Sequence, residues 1–176
     1  MNLFAFYLGG SAKNARLEQH DVVFAVGKTV EDCYPQIKSN WFGIAKGLHI
    51  DAYICLDAID GFRVEIITDK PLNQEIKLEN PAKKLYFVNL GGTKPGDFFE
   101  YHKSSFVLAI SQMGAISRAK KLLQPNFDFI HLDNVMEVDD CLDVGDLLSN
   151  YTINLIPDPA KTNYYPEVMV IYKLLK

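Results

Sequence analysis

The sequence predicts an α+β fold: a tandem duplication of a β-β-α-β module with a mainly antiparallel sheet and pseudo-twofold symmetry. Three observations carry this expectation. Residues 3–59 and 85–141 match one another at a constant spacing of 82 positions without a gap. Each copy holds short apolar runs bounded by turn signals and a single helical pattern. Short turns between the strands favour antiparallel pairing over a doubly wound parallel sheet.

The repeat is read residue by residue. Adding 82 carries Leu3 to Leu85, Leu8-Gly9-Gly10 to Leu90-Gly91-Gly92, Glu18 to Glu100, His20 to His102, His49 to His131 and Asp51 to Asp133. All four histidines of the chain fall in these pairs. After Asp57 a spacing of 89 aligns Gly61–Ile67 with Asn150–Ile156, which implies seven extra residues around Asp140–Ser149. The first module is expected over 1–70 and the second over 83–176, with an added C-terminal strand, the two packing as one unit because small lone modules are marginal. Between them Thr68–Lys84, with Pro71 and Pro81, reads as a surface connection.

Leu3–Leu8 and Leu85–Leu90 are buried strands ended by Gly-Gly, a pattern that predicts a glycine turn at Gly9, Gly10, Gly91 and Gly92. Val22–Val26 and Ser105–Ile110 form the second strands. Thr29 and Ser111 stand as N-caps, and Glu31-Asp32 favours the first helix's start. Tyr34, Ile37 and Trp41 share one helix face, as do Ile116, Ala119 and Leu123, while Pro35 is tolerated only in the first turn. His49–Ile54 and His131–Met136 alternate polar and apolar and read as extended. Asp60-Gly61 turns the chain into a third strand, Phe62–Ile67, matched by Tyr151–Ile156, and Val168–Tyr172 adds a last strand.

The chain has an apolar fraction of 48%, a charged fraction of 23% and a net charge of −4, with no dense Lys/Arg cluster. These values describe a soluble globular protein and exclude a row of phosphate contacts, so no nucleic acid is expected. The apolar amino terminus lacks a basic flank and is too short to span a bilayer, so no membrane is expected and the protein is read as cytoplasmic. The cysteines Cys33, Cys55 and Cys141 are odd in number, form no C-x-x-C pair and have no counterparts across the repeat. Shared thiol chemistry is thereby disfavoured.

The polar constellation is Glu18, His20, His49 and Asp51, repeated as Glu100, His102, His131 and Asp133. Residues i and i+2 of an extended chain face the same way, so each Glu-x-His and His-x-Asp presents an imidazole with a carboxylate. Such a set suits a divalent metal, a small ligand or acid–base chemistry; it equally suits a hydrogen-bonded structural brace. No H-E-x-x-H, Walker A, G-x-G-x-x-G or EF-hand order is present. The leading expectation is a small-molecule or protein binding module, and the alternative is an enzyme with a His/carboxylate metal or acid–base site in each half.

Several stretches carry a resemblance: Phe6–Gly10, Glu18–Asp21, Asp32–Pro35, Trp41–Gly43, Gly47–Asp51 and Leu56–Phe62. In this order F-Y-L-G-G, E-x-H-D, D-C-Y-P, W-F-G, G-L-H-I-D and L-D-x-x-D-G-F resemble the family of domain of unknown function 1543, whose members carry one or two copies of the domain. The second copy departs from the pattern, with Ala115-Ile116-Ser117 for C-Y-P and Leu123-Gln124-Pro125 for W-F-G. The resemblance implies no activity.

Overall fold

A computed structural model of the chain describes residues 1–68, 82–93, 96–123, 137–162 and 164–175. The fold is α+β, and every paired strand in it is antiparallel. The chain divides into two units, Met1–Glu75 with Asn150–Lys176, and Ile76–Ser149.

The first unit opens with β1 (Asn2–Gly10), β2 (Gln19–Gly27), α1 (Tyr34–Asn40) and β3 (His49–Cys55). Strand β1 lies between β2 and β3. Its even-numbered residues Phe4, Phe6 and Leu8 pack with Ile37 of α1, with Trp41 just after that helix, and with Leu48 and Ile50. Leu3 and Ala5, which alternate onto the other face, are buried as well, so the run is apolar throughout rather than alternating. Pro35 sits in the first turn of α1, where its missing N–H breaks no helical bond. A 3-10 turn at Glu31–Cys33 leads into α1, and there the Asp32 carboxylate accepts from the Lys28 and Thr29 amides, at 3.0 and 2.9 Å. Those bonds hold the Asp32 carboxyl below its ordinary range.

Next come β4 (Ala58–Ile59) and β5 (Phe62–Thr68), a hairpin closed by Asp60 at φ 52° and Gly61 at φ 80°. Two consecutive positive φ values are what a two-residue Asp-Gly hairpin requires. The second unit holds β6 (Lys84–Gly92), β7 (Tyr101–Ala109), α2 (Gln112–Leu123) and β8 (Glu137–Asp143), with β6 between β7 and β8. Ser111 caps α2, its hydroxyl accepting from the Gly114 amide at 3.2 Å. Ala119 is buried and Leu123 packs against the same core, as expected, while Ala115 takes the buried place expected for Ile116, which is only partly buried.

The last strands, β9 (Tyr151–Pro157) and β10 (Val168–Leu174), return to the first unit. Strand β9 pairs with β5 and β10 pairs with β3. The expected division at 1–70 and 83–176 is therefore displaced, because ladder hydrogen bonds tie residues 151–157 and 168–174 to strands of the amino-terminal region.

The two halves share one strand register and differ in another. Leu3 faces Val26 in β1·β2 and Leu85 faces Leu108 in β6·β7, both members displaced by 82. In β1·β3 Phe4 faces Cys55, whereas in β6·β8 Tyr86 faces Asp143; the first partner moves by 82 and the second by 88. Strand β8 thus stands against β6 six residues later than a spacing of 82 would place it. In β5·β9 Glu65 faces Asn154.

Candidate functional site

The site is built on Gly9, near the end of the central strand. Gly9 pairs with His20 in β2 on one side and with His49 in β3 on the other. Residues opposite one another in adjacent strands share a face, so the two imidazoles flank the same glycine. Gly9, Gly10, Gly91 and Gly92 are all strand residues, not the glycine turn that the sequence suggested. Gly9 is required for space: a Cβ there would stand 2.5 Å from His49 Nε2 and 2.8 Å from Asp51 Oδ2. Gly10 likewise makes room for the Trp41 ring, 3.0 Å from where its Cβ would be.

Asp51 reaches over Gly9 because of a bulge. Tyr7 faces Ala52 and Leu8 faces Ile50, which leaves Asp51 as the extra residue of β3. A bulge bends the strand and re-aims the side chain. Asp51 Oδ1 lies 3.3 Å from His49 Nε2, and Asp51 Oδ2 lies 3.5 Å from His20 Nε2. Glu18, just before β2, brings Oε1 to 3.4 Å from the same His49 nitrogen. The first four expected residues therefore form one cluster around the glycine.

The cluster is not a closed hydrogen-bonded brace. His49, with a side chain only 6% exposed, directs Nδ1 to the Gly47 carbonyl at 2.9 Å. A carbonyl only accepts, so Nδ1 carries a proton and Nε2 is the nitrogen turned to the two carboxylates. Asp51 Oδ2 is buried without a hydrogen-bond partner. Two tyrosines that sequence reading passed over complete the surroundings. The Tyr172 ring lies 4.6 Å from the His49 ring, and the Tyr7 ring stacks on His20 at 5.1 Å and 4°. Burial, then the Asp51 charge, raises the Tyr7 hydroxyl above its ordinary pKa. The position of Tyr7 inside F-Y-L-G-G could have drawn attention; nothing near Tyr172 in sequence points to His49.

Among the described residues the second unit shows only part of this arrangement. Glu100 Oε2 lies 3.7 Å from His102 Nε2, and His102 pairs with Gly91 as His20 pairs with Gly9. The position across from Gly91 on the other side belongs to Glu137, where the first unit has His49 across from Gly9. His131 and Asp133 lie outside the described residues. Among the described residues no three His, Cys, Asp or Glu side chains are arranged to hold a metal ion, and no helix is long and apolar enough to cross a membrane.

The family described as Domain of Unknown Function (DUF1543) matches residues 15–66, which include Glu18, His20, His49 and Asp51. The chain belongs to this family, with one copy of the domain matched. Among solved structures it is similar to a protein, Il1583, from Idiomarina loihiensis, at 30% identity and a TM-score of 0.71, over 99% of this chain and 97% of that one. No curated protein matches the chain.

Proposed function

We propose that the chain is a small-molecule binding protein whose ligand meets the cluster of Glu18, His20, His49 and Asp51. The observation that carries this is the Asp51 Oδ2 atom, buried with no hydrogen-bond partner although His20 Nε2 is 3.5 Å away. An unsatisfied buried carboxylate oxygen costs stability, of order 1–3 kcal/mol or more, so a brace should have closed this contact. A ligand that donates to it removes the cost. Gly9 supports the cluster itself, since the lack of a side chain there lets His49 and Asp51 close over the strand.

The reading includes descent of both halves from one module. The common β1·β2 and β6·β7 register supports it, as does the β5·β9 pair, in which strands equivalent at a spacing of 89 meet antiparallel about the matched residues Glu65 and Asn154. Under this view the first half kept the site and the second half changed it, since Glu137 takes the register position of His49.

Asp51→Asn tests the proposal in a thermal melt of the full chain. If Asp51 serves a ligand, removing its charge leaves the melting temperature unchanged or raises it. If Asp51 braces the strands, the same change costs about 2–3 kcal/mol, and a loss of that size would sink the binding reading.

A further inference from the structure

We infer that a cavity beside β5 binds a small organic acid, its carboxylate held between Lys161 and Arg63 and its carbon stem against Ala58, Val64 and Ile66. The cavity lies within the first unit and shares no lining residue with the cluster around Gly9. It exists because β4 is only two residues long and pairs with Phe62 and Arg63 alone, whereas β5 runs on to Thr68. The chain before β4 is drawn to β1 instead, where the Leu56 amide donates to the Leu3 carbonyl at 2.9 Å. Beside Val64, Glu65 and Ile66 there remains a cavity of about 400 Å³, within the range of about 300–1,000 Å³ usual for small-molecule sites.

Its cations are placed by the fold and lack close countercharges. Lys161 ends a 3-10 turn, Pro159–Lys161, tied to the β4–β5 hairpin. The Gly61 amide donates to the Lys161 carbonyl at 3.1 Å, and the Asp158 amide donates to the Gly61 carbonyl at 2.7 Å. The Lys161 ammonium lies 3.8 Å from the centre of the Tyr164 ring, which attracts the charge without supplying an oxygen acceptor. Among the described residues no carboxylate is ion-paired to it, and Arg63 has only a loose contact, Nε to Asp158 Oδ2 at 3.8 Å. The two carboxylates in the lining are engaged by neutral donors. The Tyr164 hydroxyl donates to Asp57 Oδ1 at 3.0 Å, and the Asn154 amide donates to Glu65 Oε2 at 3.0 Å. A ligand carboxylate accepts from both cations through charge-assisted bonds of about 2.7–2.9 Å. Asp57 and Glu65 disfavour a dianion such as phosphate, while the apolar side chains suit a carbon stem.

The test is a titration of isotope-labelled full-length protein near neutral pH, followed by amide shifts, with sodium butyrate replacing sodium chloride at constant ionic strength. n-Butanol offers the same stem without the charge, and sodium phosphate offers an anion without the stem. Saturable shifts at Ala58, Val64 and Lys161 with butyrate are expected, without a matching response to n-butanol or phosphate. Lys161→Met and Arg63→Gln are each expected to weaken butyrate by about tenfold or more, as loss of a hydrogen bond to a charged group should. Lys173→Met in β10, which removes the same charge elsewhere, is expected to leave it unaltered. Silence toward butyrate, an equal response to n-butanol or phosphate, or parental affinity in both Lys161→Met and Arg63→Gln would overturn the assignment. Shifts centred on Gly9 and Gly47 overturn it too, and leave the binding reading above standing.

Discussion

Gly9→Ala is the sharpest probe of how the site is constructed. The added methyl would stand 2.5 Å from His49 Nε2, 2.9 Å from His49 Cε1 and 2.8 Å from Asp51 Oδ2. Something must move, and His49 is poorly placed to do so: its side chain is 6% exposed and its other nitrogen is bonded to the Gly47 carbonyl. Overpacking of this kind costs about 1–3 kcal/mol, and losing the His49–Gly47 bond adds roughly 1 kcal/mol, for a total of about 2–4 kcal/mol. In a chain of this size that corresponds to a fall in melting temperature of roughly 5–15 °C, read by circular dichroism. Gly96→Ala is the comparison, since Gly96 at φ +90° meets nothing within 4 Å. It bears only the left-handed backbone penalty of about 1–2 kcal/mol. If Gly9→Ala melts within about 2 °C of the parent protein, the claim that Gly9 is there to make room for His49 is wrong.

Ser111→Ala removes the hydroxyl that accepts from Gly114 and should destabilise α2 by about 1 kcal/mol in denaturant titration; no change would dismiss Ser111 as the cap. Asn154→Ala deletes a buried amide that donates to Glu65 at 3.0 Å across β5·β9, and a loss of about 1–3 kcal/mol is expected in the same assay. Burial, reinforced by the Asp32 charge, pushes the Cys33 thiol from 9.0 up to about 12. The folded state therefore holds that proton longer than the unfolded state does. The contribution is full below about pH 9 and is lost as pH rises toward about 12. Alkaline unfolding should have a slope that Cys33→Ala reduces by up to one proton, and an unaltered slope would refute the assignment to Cys33.

Much of the local structure was legible in the sequence because local chemistry determines it. The Asp60-Gly61 hairpin, the Ser111 cap and Pro35 in the first turn of α1 each depend on a few neighbouring residues, and each stands where the residue types place it. The strand runs were legible too, though β2 and β7 extend to His20 and His102 beyond the apolar residues that mark them. The four polar residues of the first copy lie near one another, but Asp51 joins them through a bulge and not by simple alternation along the strand.

What the sequence by itself determined was therefore the α+β class, the strand and helix segments and the short list of polar candidates. Tertiary structure alone decided the partners. A period of two says which side chains share a face but not which strand lies alongside, so the return of β9 to β5 and of β10 to β3 had no local signature. The same holds for the extra residue at Asp51, which is a bulge only because Tyr7 and Leu8 face Ala52 and Ile50. Gly9 shows the difference most directly. Its neighbours along the chain suggest a turn, while its neighbours across the sheet, His20 and His49, make it a strand position whose missing side chain admits the His49 ring.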